Sequence, residues 1–130
     1  MTVQYLNPPE LLQSPAFSQA VVVEHPVGTV YVGGQNGVDA SGVAAGDLAE
    51  QTAQAVDNVR IALAAAGGQL TDVISWTIAV VAGQDLRAGF GAMQAALARR
   101  EHPPIVTVLQ VAGLAVRGAL VETSAIAVLR

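Results

Sequence analysis

The stretch GDLAEQTAQAVDNVRIALAAAGG, residues 46–68, decides the fold. Its apolar and small residues Leu48, Thr52, Ala55, Val59, Ala62, Leu63 and Ala66 fall on one side of a 3.6-residue period. Asp47 followed by Glu50 three residues later forms a capping-box pattern, and Gly67-Gly68 supplies the stop. The segment therefore predicts an amphipathic helix whose apolar stripe needs a surface to cover. The residues on either side supply that surface.

Upstream, SQAVVVEH (18–25) and GTVYVGGQ (28–35) are short, valine-rich runs separated by the turn signal PVG, and together they predict a β-hairpin. GVDASGVAAG (37–46) reads as a loop of small residues. Downstream, LTDVISWTIAVVAG (70–83) returns to strand composition, with Trp76 alternating with Ile74 and Ile78. Asp85 is placed to cap a second helix, LRAGFGAMQAALARR (86–100), with Phe90, Met93 and Leu97 as its buried face. Its two glycines cost about 1 kcal/mol each relative to alanine, so packing must hold it. Pro103-Pro104 ends it, and the closing HPPIVTVLQVAGLAVRGALVETSAIAVLR (102–130) reads as two long strands joined by a short turn. The expected fold is α+β in the order β-β-α-β-α-β-β, one domain over residues 1–130. Two helices should cover one face of one sheet. Nothing in the chain is left to cover the other face, which predicts a partner subunit.

Composition leads to the same expectation. The chain of 130 residues is 52% apolar and only 12% charged, against roughly 25% charged residues in an average soluble domain. So apolar a surface predicts an oligomer that buries the excess at subunit contacts. A membrane span is not expected, because the longest apolar run, from Val73 to Gly83, is about half of the roughly 20 residues a spanning helix needs. MTVQYLNPPELLQSP at the start lacks the basic-then-apolar pattern of a signal peptide, so the expected location is the cytosol. Cysteine is absent, which removes disulfides, thiolate metal sites and a cysteine nucleophile. Ten acidic against six basic residues give a net charge of −4, and the arginines are scattered, so nucleic-acid binding is not expected.

No familiar catalytic constellation emerges from the remaining polar residues. His25 and His102 each sit beside a proline at an element end and read as surface turn residues. Gly33-Gly34 lacks the lysine and hydroxyl residue of a phosphate loop. The pair reads either as a β-bulge or as a strand edge offering backbone N–H and C=O groups to a ligand. Trp76 reads as core or interface packing. Arg99 and Arg100 read as solvated cations at a helix C-terminus, and Arg117 as exposed in the final turn. In a regular last strand Glu122 and Ser124 share one face, Thr123 and Ala125 the other.

Several motifs taken together resemble one family. SPAFSQAVVV, VYVGGQNGVDASG, GDLAEQTAQAVDNVRIALAAAGGQLTDVI and QVAGLAVRGALVETSAIAVL are similar to the Rid/YjgF reactive-intermediate deaminases, from about Asn7 onward. The resemblance implies a chorismate-mutase-like homotrimer whose sheets line a central barrel, with ligand clefts between adjacent subunits. Deaminating members hydrolyse imines and enamines to a keto compound and ammonia, with neither metal nor cofactor. In them an arginine at the start of the penultimate strand holds the substrate carboxylate; the matching residue here is Val106, followed by Thr107. A glutamate that positions water is matched by Ser124, and a cleft tyrosine by Phe17. The resemblance thus implies a cleft lined by Phe17, Gly33, Gly34, Gln35, Phe90, Val106, Thr107 and Ser124, with no catalytic residue at the family's positions. A small, uncharged or apolar molecule is the expected ligand; a cofactor-independent imine or enamine deaminase using other residues and a non-catalytic scaffold or regulatory trimer are the alternatives. Ribonuclease activity is attached to some relatives, but the acidic balance and the separated histidines count against it here.

Overall fold

The computed structural model describes residues 1–44, 46–97 and 100–130. Its strands are β1 (Thr2–Leu6), β2 (Ala20–Glu24), β3 (Gly28–Asn36), β4 (Val73–Val81), β5 (Ile105–Val111) and β6 (Val121–Leu129). Helix α1 spans Leu48–Ala65 and α2 spans Leu86–Ala96. Both helices pack on a four-stranded sheet of order β3-β6-β4-β5, the expected α+β layering.

Helix α1 forms where the period predicts it. Asp47 Oδ1 accepts the Glu50 N–H at 2.9 Å, satisfying one of the orphan donors of the first turn. At the other end Gly67 takes φ +81°, its N–H reaches Ala64 O at 3.0 Å, and Gly68 N–H reaches Leu63 O at 2.8 Å. These two bonds are the Schellman closure, and a residue with a Cβ would be strained there. Ala55, Val56, Val59 and Leu63 bury fully against the sheet, while Ala66, expected on this face, is exposed beyond the last turn. Gln51 is the buried residue the apolar period does not show. Its amide donates to Gly46 O and Gly118 O and accepts from Leu120 N–H, tying the helix start to the connection before β6. Gly37, in the loop that leaves β3, packs on the backbone of Gln51 with no room for a Cβ.

The strand pairing corrects the expected hairpin. β2 pairs antiparallel with β1, whereas β3 pairs with β6. Between β2 and β3, His25 adopts φ +52° and Pro26 has no N–H to give a ladder, so the chain turns out of register. β1 lies in a stretch read only for targeting signals, and with β2 it makes a separate two-stranded ribbon. The last two strands are not neighbours either. β4 lies between them, parallel to β5 and antiparallel to β6. Helix α2 stops at Ala96, earlier than expected. Met93 is buried, Leu97 is half-buried and Phe90 remains 43% exposed, so Phe90 is not part of the buried face. The α2 axis runs close to α1, with Gly89 against Leu48, and this contact leaves Phe90 at the rim.

Candidate functional site

Register assigns each side chain of the sheet to a face, because residues opposite one another point the same way. Trp76 lies opposite Ala125 on one side and Val106 on the other. Trp76, Ile78, Val80, Val121 and Ala125 are all buried beneath the helices, and Val106 packs at the margin of that core. Trp76 is therefore a packing residue, 2% exposed. The other face is open. Across it run Thr107, Thr77 and Ser124, one hydroxyl on each of three adjacent strands. Glu122 stands on the same face one alternation along, opposite Ala79.

The expected site residues consequently divide into three places on the chain. Val106 faces the helix layer and Ser124 the open side, with β4 between them, so they are about 10 Å apart across two strand spacings. Phe17 joins the Val106 end. Its neighbour Ser18 donates from Oγ to Pro103 O at 2.5 Å and from N–H to Pro104 O at 3.0 Å, which lays the segment beside the start of β5. Phe90 sits at the rim of a crevice of about 20 Å³ between helices and sheet, with Leu48, Thr52, Ile78 and Met93. Thr107 and Ser124 lie on the open face.

Gly33 and Gly34 also reach that open face, through a bulge. The β3–β6 register shifts between Val32 and Gln35, so the glycine pair together opposes Ser124. A Cβ on Gly34 would lie 2.8 Å from Glu122 Cδ and 2.9 Å from Oε2, whereas Gly33 faces open space. Gly34 is thus a close-approach glycine that makes room for a carboxylate. Gln35 folds its amide back on Gly33 O at 3.2 Å. Asn36 is buried and donates to Val121 O, while Asn58 of α1 donates to Asn36 O and Val38 O, which fixes the chain after the bulge.

Sequence reasoning misplaced one arginine. Arg100 is half-buried rather than solvated: it donates to Val73 O at 2.6 Å and Tyr5 Oη at 2.9 Å, with its guanidinium 5.9 Å from the Tyr5 ring centroid. His102 stacks on the same ring at 5.6 Å. These residues, with Asp72 and Arg130 at 3.6 Å from each other, line an open groove of about 370 Å³ where β4 begins and β6 ends. Arg100, bonded to Tyr5 of β1 and Val73 of β4, ties the β1–β2 ribbon to the main sheet. Arg117 is exposed as expected, and Arg99 lies outside the described residues. Among the described residues no three His, Asp or Glu side chains gather into a possible metal site, and no helix is long and apolar enough to cross a membrane.

Residues 10–129 match the family model described as Endoribonuclease L-PSP. The chain belongs to this family, the Rid/YjgF proteins. Among solved structures, the Rid family protein YyfB of Yersinia pestis, of unknown function, superimposes with a TM-score of 0.84 at 28% identity, covering 99% of this chain and 100% of that one. RidA of the Antarctic bacterium Psychrobacter sp. PAMC 21119 gives a TM-score of 0.71 at 31% identity over 86% of this chain and 87% of its own. A curated relative, the 2-iminobutanoate/2-iminopropanoate deaminase of Rattus norvegicus, is 42% identical over 65 residues. That match spans 48% of this chain and 45% of the rat protein. The two helices packed on one sheet are the α+β arrangement of these structural neighbours.

Proposed function

We propose that the chain assembles as a homotrimer with clefts between adjacent subunits, and that each cleft takes a small, uncharged or apolar metabolite while 2-imino acid hydrolysis is weak or absent. One observation carries this reading: β3, β4, β5 and β6 contain no cationic residue. A 2-imino acid presents a carboxylate, and a buried arginine–carboxylate contact is worth roughly 2–5 kcal/mol on loss of one partner. That is roughly 30- to 4,000-fold in kcat/KM. A valine in the arginine's place also leaves the anion desolvated without a partner.

The trimer is supported by what one subunit leaves uncovered. Tyr31 is 77% exposed and Leu109 49% on the open face, and β3 and β5 each keep one unpaired edge. The separation of Val106 and Phe17 from Ser124 and the bulge also fits a cleft whose two halves come from different subunits. The expected location remains the cytosol.

An imine-hydrolysis assay tests the reading. An amino-acid oxidase generates 2-imino acids from alanine, leucine or methionine, and semicarbazide competes for what remains. No acceleration by the folded protein, together with thermal stabilisation by neutral carbonyl compounds, is the expected result. Turnover of 2-imino acids at catalytic protein concentration would instead establish a deaminase working through other residues. The double variant Val106→Arg with Ser124→Glu is expected to create or raise 2-imino acid turnover by at least about tenfold, the effect of about 1.4 kcal/mol. A folded double variant without that gain would break the assignment of these positions.

A further inference from the structure

The sequence holds three asparagines, Asn7, Asn36 and Asn58. An asparagine deamidates when the backbone nitrogen of the next residue attacks its side-chain amide carbon. Asn7 precedes Pro8, which has no N–H to lose, and Asn58 precedes Val59, whose branched Cβ hinders the approach. Asn36 precedes Gly37, the least hindered neighbour. The fold demands both halves of this pair. A Cβ on Gly37 would collide with the backbone of Gln51, so no other residue fits there. Asn36 is 8% exposed, and its Nδ2 donates to Val121 O at 3.1 Å.

The same contacts hold the reacting atoms apart. Asn36 is the last residue of β3, and ring closure needs its ψ to leave the extended range of a strand. Asn58 of α1 fixes the backbone on both sides of Gly37, donating to Asn36 O at 3.0 Å and Val38 O at 2.9 Å. Gly37 is itself buried, which keeps base and water from its nitrogen.

We propose that Asn36–Gly37 is a self-modification site, closed in the folded chain and opened when the segment after the bulge separates from α1. In the opened segment the Gly37 nitrogen gives its proton to a solvent base and bonds to Asn36 Cγ. The Cγ–Nδ2 bond breaks with its electron pair on nitrogen, which takes up a proton and leaves as ammonia, and a succinimide ring remains. Water then adds to one ring carbonyl and breaks its bond to the Gly37 nitrogen, which recovers a proton. Opening at Cγ gives aspartate; opening at the Asn36 carbonyl carbon gives isoaspartate. The sum is one side-chain amide plus one water giving one carboxylate plus one ammonium ion.

The product cannot reclose as before. An aspartate has no donor for Val121 O, and its carboxylate would be buried. Register also places it directly opposite Glu122, so two like charges would meet across β3 and β6. Isoaspartate adds a carbon to the backbone ahead of α1 and breaks the pairing outright. Each opening thus exposes the chain to irreversible loss, and the bonds of Asn58 set its working lifetime.

The test is mass spectrometry of peptides from the full chain after incubation at mildly alkaline pH, folded in buffer and unfolded in urea. Asn36 is expected to deamidate in urea while Asn7 and Asn58 do not, and at least about tenfold more slowly in the folded protein. Asn58→Ala, which removes both backbone clamps, is expected to raise the folded rate several-fold and leave the rate in urea unchanged. Asn36→Asp, the direct product, is expected to lower the urea midpoint. Equal rates at Asn36 in folded and unfolded chains overturn the proposal, and that comparison holds even where Asn58→Ala does not fold. A folded Asn58→Ala variant that deamidates no faster than the wild type overturns it too, as does Asn36→Asp with the wild-type midpoint.

Discussion

The two faces of the main sheet are built from the same strands and differ in almost everything else. Under the helices, Val32, Trp76, Ile78, Val80, Val121, Ala125 and Ala127 are buried and close-packed. On the other side the sheet shows Tyr31, Leu109 and a row of hydroxyls to solvent, and its single carboxylate has no partner among the described residues. The covered face is packed from within one chain, and among the described residues Thr123 Oγ1 is the buried side-chain atom left there without a hydrogen bond. On the proposed reading, a second copy or a ligand finishes the open face.

The largest effect expected from breaking this contrast is on the covered side. Trp76→Ala removes a 2% exposed indole that spans the core between β6 and β5. A loss of about 3–5 kcal/mol is expected, because the helices cannot collapse into a void of that size. Urea unfolding checks it through a lowered midpoint. A cost below about 1 kcal/mol would mean that the indole packs against less than the burial shows.

The open side should respond in the opposite way. Tyr31→Lys with Leu109→Lys places two cations on exposed positions of one face, where the helices make no contact. Little change is expected in the packing of a single chain, but the proposed trimer should dissociate, read as a fall in mass by light scattering. A trimer that persists through both substitutions would place the subunit contact elsewhere. The pair of results separates a core that folds the chain from a surface that assembles it.

How far these features were legible in the sequence depends on how local their causes are. Helix α1 was readable because its cap, its stripe and its Gly67-Gly68 stop all act within a few residues of one another. Strand pairing is not local. The runs that became β2 and β3 carry a turn signal between them, yet His25 at φ +52° and the availability of β1 and β6 as partners decided otherwise. Gln51 escaped because a polar residue on a helix face gives no sign of three backbone partners far along the chain. For the site, the glycine pair was readable as a bulge or a ligand edge, but only the register puts Gly34 under Glu122. The family resemblance implies that Val106 and Ser124 are altered positions. That they face opposite ways follows from the registers of β4 with β5 and β6, which no sequence pattern states.

The smallest expected effect tests the most legible element. Asp47 caps α1 through a single 2.9 Å bond from the Glu50 N–H, at an exposed position where nothing else depends on its side chain. Asp47→Ala should cost about 1 kcal/mol, the usual effect of losing an N-cap acceptor. Asp47→Ser should restore most of it, since a hydroxyl can accept the same N–H. The comparison is made on the same urea midpoint used for Trp76. A cost well above about 1 kcal/mol would show that the start of α1 is coupled to the Gln51 bonds with Gly46, Gly118 and Leu120. The connection before β6, and with it the strand that carries Glu122, would then be held from the helix end.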